Sequence, residues 1–217
     1  MLPAYAELHC RSNFSFLCGA SHPEELVARA QALGYSALAL TDECSLAGVV
    51  RAHAEAKRLG LHLIVGSELQ LTHPPVKGKA DAGAAPRLVL LAQTRRGYGN
   101  LSQWITVARR RAAKGEYLAH PSDLEGRVPH APHLAGLPDC FALLLPGPWQ
   151  PFETVFAHAM WLKTWFGVER CGIAVQLLHQ AHDDTLLDVL PRVAQASALP
   201  LVAAGAVLMH ARSRKPL

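Results

Sequence analysis

The sequence predicts an α/β protein in which seven parallel strands alternate with helices, closed into a distorted (β/α)7-type barrel. Three observations carry that expectation. Short runs of wholly apolar residues recur, as in Leu38-Ala39-Leu40, Leu88-Val89-Leu90-Leu91 and Ala142-Leu143-Leu144-Leu145, and a strand without polar alternation is one covered on both faces. Between these runs lie stretches whose apolar residues follow helical spacing. The chain has 217 residues, half of them apolar, enough for a full core, and reads as a single domain over 1–217. Periodicity alone leaves an open doubly wound sheet available. No glycine-rich dinucleotide or P-loop fingerprint follows any strand, which counts against the nucleotide-binding open sheets.

Each element has a local cause. Ala6–Cys10 is the first strand. Ser21 or His22 then caps a helix, Pro23 suits its first turn, and Glu24 and Glu25 sit where the helix dipole favours anions. Leu26, Val27, Ala30 and Leu33 form its buried stripe, and Gly34 stops it. Ala37–Thr41 is the second strand, ending at Asp42. A helix from about Leu46 to Leu59 stops at Gly60, and Leu61–Val65 is the third strand. His73–Pro86, rich in Pro, Gly, Ala and Lys, reads as a solvated loop. Leu88–Ala92 follows, then a helix after Gly97-Tyr98-Gly99 that presents Leu101, Trp104, Ile105 and Ala108. Lys114–Pro138 is an irregular crossover. Phe141–Leu145, a helix around Phe152–Trp165, Ile173–Leu177, a helix over Asp183–Ala196, and Leu201–Ala206 complete the series.

Composition narrows the chemistry. There are 21 basic and 17 acidic residues, a mild positive balance that permits nucleic-acid contact without the dense stripe of a dedicated binder. Five cysteines, at 10, 18, 44, 140 and 171, form no CxxC pair and read as small buried thiols. With no signal peptide and no long apolar span visible, the expected location is the cytoplasm, without membrane contact.

In such barrels chemistry sits at the C-terminal strand ends. A metal-dependent hydrolase wants His-x-His at the first of these, because imidazoles at i and i+2 share one face of a strand. His9 is present, but the second position is Arg11, a permanent cation that cannot bind a metal. The next ends offer Asp42, Glu43 and Glu68, the fourth strand begins with Arg87, and the last strand end is almost bare of polar groups. Three carboxylates, one or two histidines and two arginines suit salt bridges better than a divalent-metal cage. Asp42 is expected to brace the loop after its strand. His120, His130 and His133 read as solvated, and His210 as lying outside the cavity. Arg109, Arg110 and Arg111 with Lys114 form either a salt-sensitive phosphate contact or a solvated or interdomain face. Trp149, Trp161 and Trp165 read as core or interdomain surface as readily as base-stacking platforms.

Several longer runs carry a family resemblance. They are Ala6–Ala20, Pro23–Ser45 with Leu-Ala-Leu-Thr-Asp, Gly48–Leu69 with Leu-Ile-Val-Gly-Ser-Glu-Leu, and Leu88–Leu101 with Gly-Tyr-Gly-Asn-Leu. Arg-Arg-Arg-Ala-Ala-Lys-Gly-Glu-Tyr over 109–117 and the ending 209–217 extend them. Over nearly its whole length the chain resembles the PHP (polymerase and histidinol phosphatase) domain at the N-terminus of bacterial C-family DNA polymerases. The likeness is to the second, error-prone DnaE-type polymerases of the mutagenic repair cassette. The resemblance implies the PHP fold.

It also implies where metal ligands would stand. Metal-binding relatives open with His-x-His and an aspartate before Gly-Ala; those places hold His9, Arg11 and Cys18. The histidine after Thr-Asp is replaced by Glu43, the glutamate is kept as Glu68, and a histidine at the fourth strand aligns with Arg87. The terminal Asp-x-His aligns with Ala206 and Leu208. Only His9 and Glu68 survive of that set, so no metal and no catalytic residue is expected, and Glu43 facing Arg11 is expected to fill the old cavity as an ion pair.

The resemblance further implies a fragment of an error-prone DNA-directed DNA polymerase, a nucleotidyltransferase in translesion synthesis and DNA repair of the SOS type. Its partners would be the remainder of that chain, DNA indirectly, and the sliding clamp and mutagenesis accessory proteins through the parent. Magnesium would serve the parent outside this chain. The alternative is a metal-dependent phosphoesterase or 3′–5′ exonuclease with an altered ligand set of His9, Glu68, Glu43 and Cys18.

Overall fold

The computed structural model describes residues 4–73 and 85–215, so most of the His73–Pro86 loop lies outside the described residues. The chain divides into two compact units, one of residues 1–68 and 204–217, the other of 69–203.

The first unit holds β1 (Ala6–Cys10), α1 (Pro23–Ala32), β2 (Ala37–Leu40), α2 (Val49–Leu59) and most of β3 (His62–Gln70). Its strands pair in parallel, β1 with β2 and β2 with β3. All of β2 is buried, as a strand covered on both faces must be. The helix α1 starts where Pro23 occupies the first turn and the Glu25 carboxylate accepts the backbone N–H of His22 at 2.8 Å. That contact satisfies one of the donors every helix start leaves over. Leu26, Val27 and Ala30 face inward and pack with Ala52 and Ala56 of α2, whose small side chains let the helices approach, and with Leu38 and Leu40 of β2. Gly60, at φ +73°, ends α2 in the left-handed conformation that costs glycine nothing.

The segment after residue 203 belongs to this unit. Val207 brackets β1, donating to the His9 carbonyl and accepting from the Arg11 N–H, both at 2.9 Å. The result is a parallel bridge between Cys10 and Val207. Farther on, the Leu208 carbonyl accepts from Ala20 N–H at 2.8 Å, and Arg214 reaches Glu25 at 2.7 Å.

The second unit holds β4 (Arg87–Ala92), α3 (Arg95–Arg110), β5 (Cys140–Leu145), α4 (Phe152–Phe166), β6 (Cys171–Val175), α5 (Asp183–Ser197) and β7 (Leu201–Ala203). β5, β6 and β7 are parallel, but β4 runs antiparallel to β5, with Arg87 opposite Leu145 and Ala92 opposite Cys140. This corrects the expectation of uniformly parallel strands. Residues 71–86 carry no helical period, and the Leu71 N–H donates to the Pro86 carbonyl at 3.0 Å. That bond holds the residue after β3 against the residue before β4, an approach that suits antiparallel neighbours.

Other boundaries shift for equally local reasons. α3 begins before the glycines, because the Thr94 hydroxyl, three residues upstream of Gly97, accepts from its N–H at 3.1 Å and caps the helix. A Cβ on Gly97 would lie 2.0 Å from the Asp139 carbonyl oxygen, so the glycine serves close packing. β3 runs five residues past its expected end, and β7 stops three residues early. Within 111–139 the chain makes two short helical turns, anchored on Asp123, whose carboxylate accepts from the buried Trp104 indole at 3.1 Å.

Candidate functional site

The extension of β3 decides the site. A bridge pairs Glu43 with Glu68 beyond the regular β2–β3 ladder, and the Cys44 N–H donates to the Glu68 carbonyl at 2.8 Å. Glu68 therefore stands within a strand, beside the residue after Asp42. The period of two along β1 brings His9 and Arg11 to the same place.

His9 and Glu68 are both buried, and His9 Nε2 lies 2.6 Å from Glu68 Oε2. Arg11 Nε lies 3.3 Å from that same oxygen, close enough for an ion pair though misaligned for a hydrogen bond. Arg11 Nη1 is 3.9 Å from Glu43 Oε2. One carboxylate oxygen is thus flanked by an imidazole and a guanidinium, with a second carboxylate at the outer edge. Arg11 faces Glu43 as expected, but its nearer partner is Glu68.

Two more carboxylates complete this neighbourhood. Asp42 is buried, and its Oδ1 accepts from the Ser12 N–H and the Ser15 hydroxyl, each at 2.7 Å. The Ser12 hydroxyl donates to Oδ2 at 2.8 Å. These bonds brace the β1–α1 loop. Sequence reasoning missed Glu7, which is also buried and accepts from the N–H groups of His9 and Gly205 and the hydroxyl of Tyr5, all at 2.9 Å. Glu7 together with burial pushes the Tyr5 phenol well up from its ordinary value, burial being the larger cause. A Cβ on Gly205 would fall 2.3 Å from Glu7 Oε2. The available signal was an acid two residues before His9 on the same strand face.

The other candidate positions lie apart from this cluster. Cys18 is exposed on the β1–α1 loop. Ala206, at φ +50°, and Leu208 lie in the returning segment and offer no side-chain donor. His210 contacts Ser21 at 2.8 Å rather than the cluster. Among the described residues no group of three or more His, Cys, Asp or Glu is placed to hold a metal ion.

In the second unit, Arg87 is exposed at the start of β4 and lines a cavity of about 220 Å³ with Gln70, Gln150 and His158. The basic run is divided in its duties. Arg111 makes a two-pronged contact with the buried Asp123, both distances 2.7 Å. Arg109 donates to the carbonyls of Gly115 and Glu116 and lies over the Tyr117 ring. Both guanidiniums thus hold the chain after α3. Arg110 and Lys114 are exposed. His120 is likewise tied in, its Nδ1 2.7 Å from the Thr72 carbonyl, while His130 and His133 are exposed. Trp161 donates to Glu125 at 3.0 Å, and Trp149 is exposed.

This architecture recurs in known proteins. An amidohydrolase from Chromobacterium violaceum, solved with bound sulfate and no metal, superposes with a TM-score of 0.66 at 17% identity, over 95% of this chain and 88% of that one. The likeness shows a shared α/β fold, here with seven mostly parallel strands. The PHP domain model matches residues 7–176. The chain belongs to the PHP domain family.

Its sequence relatives are more specific. The error-prone DNA polymerase of Bordetella parapertussis is 54% identical over 218 aligned residues, covering all of this chain and 20% of the relative. That of Ralstonia nicotianae is 50% identical, with 19% of its length covered. The chain therefore spans about a fifth of the curated relatives it matches. Among the described residues no helix is long and apolar enough to cross a membrane.

Proposed function

We propose that this chain is the PHP domain of an error-prone DNA-directed DNA polymerase acting in translesion synthesis and DNA repair in the cytoplasm, and that it serves as a non-catalytic scaffold. The observation that carries this reading is the pairing of Glu68 with both His9 and Arg11. A multi-metal hydrolytic site needs several carboxylates and neutral imidazoles with their lone pairs aimed at a common point. Here the two residues that match the family's ligands are 2.6 Å apart and bonded to each other, and a permanent cation stands beside them. That donor set does not fit a metal cluster.

On this reading the ion pairs fill the place of the metals and keep the strand ends together without them. The activity belongs to the parent, whose magnesium-binding residues would lie outside this chain. The remainder of the polymerase is the direct partner. Through the parent, the sliding clamp and mutagenesis accessory proteins come within reach, and Arg110 and Lys114 are the exposed cations that could touch a phosphate backbone.

The test is elemental analysis of the purified protein after dialysis against trace zinc and manganese. Metal well below one equivalent is expected, with no phosphodiester cleavage above that of a His9→Ala/Glu68→Ala variant. Near-stoichiometric metal that disappears in that variant would instead establish a phosphoesterase or 3′–5′ exonuclease with an altered ligand set.

A further inference from the structure

The β1–α1 loop, residues 13–19, is at once rigid and apolar on its outer side. Its serine hydroxyls and several of its backbone N–H groups are bonded inward. Ser12 and Ser15 are held by Asp42, the Ser15 hydroxyl accepts from Glu43 N–H at 2.9 Å, and Asn13 N–H donates to the Ser21 carbonyl at 2.8 Å. Cys18 and Gly19 N–H groups both reach the Ser15 carbonyl at 3.0 Å. Gly19 closes the turn so tightly that a Cβ would lie 2.0 Å from the Ser12 oxygen.

What this frame holds up is Phe14, Phe16 and Leu17, the last two 84% and 93% exposed. Leu17 also sits at φ +62°, a conformation that disfavours any side chain and that glycine would adopt without strain. Scattered apolar residues are ordinary on a protein surface. A strained leucine next to an exposed phenylalanine on a braced loop is different, because the fold gains neither burial nor backbone relaxation from it.

The returning segment indicates what covers them. Leu208 is bonded to Ala20, His210 to Ser21, and Arg214 to Glu25, so this segment runs from the foot of the loop along the start of α1. In the Bordetella relative about four-fifths of the chain lies outside the matched stretch. A following segment tethered there is present at high effective concentration. We propose that Phe16 and Leu17 form a docking knob for an apolar pocket on the polymerase segment that follows this domain. The inference rests on the reading of the chain as a polymerase PHP domain.

Cys18 supplies the reporter, since it is exposed at the knob while Cys10, Cys44, Cys140 and Cys171 are buried. Maleimide labelling of Cys18, resolved by peptide mass spectrometry, is compared in the 217-residue chain and the full-length polymerase. Labelling about tenfold slower in the full-length protein is expected, the factor for a docked form populated about nine-tenths of the time. Phe16→Ser with Leu17→Ser should restore the rate to that of the short chain carrying the same changes. Equal rates in a full-length protein that extends a primed template overturn the docking alone. Protection in the short chain that grows with its own concentration overturns it in favour of a second copy. A full-length protein that extends no primer overturns the underlying reading as well.

Discussion

Replacing Glu68 by glutamine keeps the shape of the side chain and removes its charge. The carboxylate lies 2.6 Å from His9 and 3.3 Å from Arg11, and the side chains of Glu68, His9 and Arg11 are 3%, 3% and 15% exposed. Breaking one member out of a buried ionic group leaves the remaining charge uncompensated. Arg11 keeps some contact with water, so the loss is set near the low end of the measured range, about 3 kcal/mol. Glu43→Gln removes a carboxylate that is 37% exposed and 3.9 Å from Arg11, and should cost no more than about 0.5 kcal/mol. Urea unfolding followed by circular dichroism separates the two, because about 3 kcal/mol moves the midpoint by roughly 1 M or more. Replacing the group together, His9→Leu with Arg11→Met and Glu68→Met, should return to within about 1 kcal/mol of the parent, since no charge is then stranded. Equal and small losses for Glu68→Gln and Glu43→Gln would refute the claim that Glu68 anchors the cluster.

Two further outcomes test the surrounding fold. Gly97→Ala drives a Cβ to 2.0 Å from a backbone oxygen and should cost about 2 kcal/mol in thermal melts, whereas Gly99→Ala, two residues on with open space around it, should stabilise by up to about 1 kcal/mol. Burial pushes the Cys140 thiol up to about 12 and the Cys171 thiol up to about 11, and raises Cys10 well above its ordinary value. Unfolded thiols shed their protons first, so stability should fall as pH rises past about 9 and be lower by roughly 1 kcal/mol per buried thiol at pH 10. Cys140→Ala with Cys171→Ala should flatten that alkaline limb in urea titrations.

Much of this was legible in the residues. The α1 boundary followed from Pro23, Glu25 and Gly34, and the buried strands from unbroken apolar runs, because capping chemistry and two-sided burial are local properties. The direction of β4 was not legible, since the apolar run Leu88–Leu91 suits a parallel and an antiparallel neighbour equally well. The Thr94 cap was hidden by the glycines that follow it, which look like a helix stop until the close approach of Asp139 is known. At the site, Arg11 at the second position of the expected His-x-His could be read directly. That its nearer partner is Glu68 rather than Glu43 could not, because β3 was expected to end at Val65 and Glu68 to stand beyond it.

Glu7, Asp42, Glu43 and Glu68 of the first unit show how a fold can hold neighbouring acids by different means. Glu7 is neutralised by backbone N–H groups and a phenol, and Asp42 by two serines and an N–H. Both use dipoles, which fix geometry at short range. Glu68 instead has an imidazole and a full cation, and that cation reaches on toward Glu43. A divalent ion also joins carboxylates from separate strands, but it must be acquired from solution, and its binding depends on supply and pH. Arginine stays charged throughout the physiological range and is covalently fixed just past the end of β1. On the proposed reading, Arg11 therefore replaces an exchangeable bridge between strand ends with a permanent one. The exchange removes Lewis-acid chemistry while keeping β1 and β3 electrostatically joined, which is what a scaffold requires and a phosphoesterase cannot use.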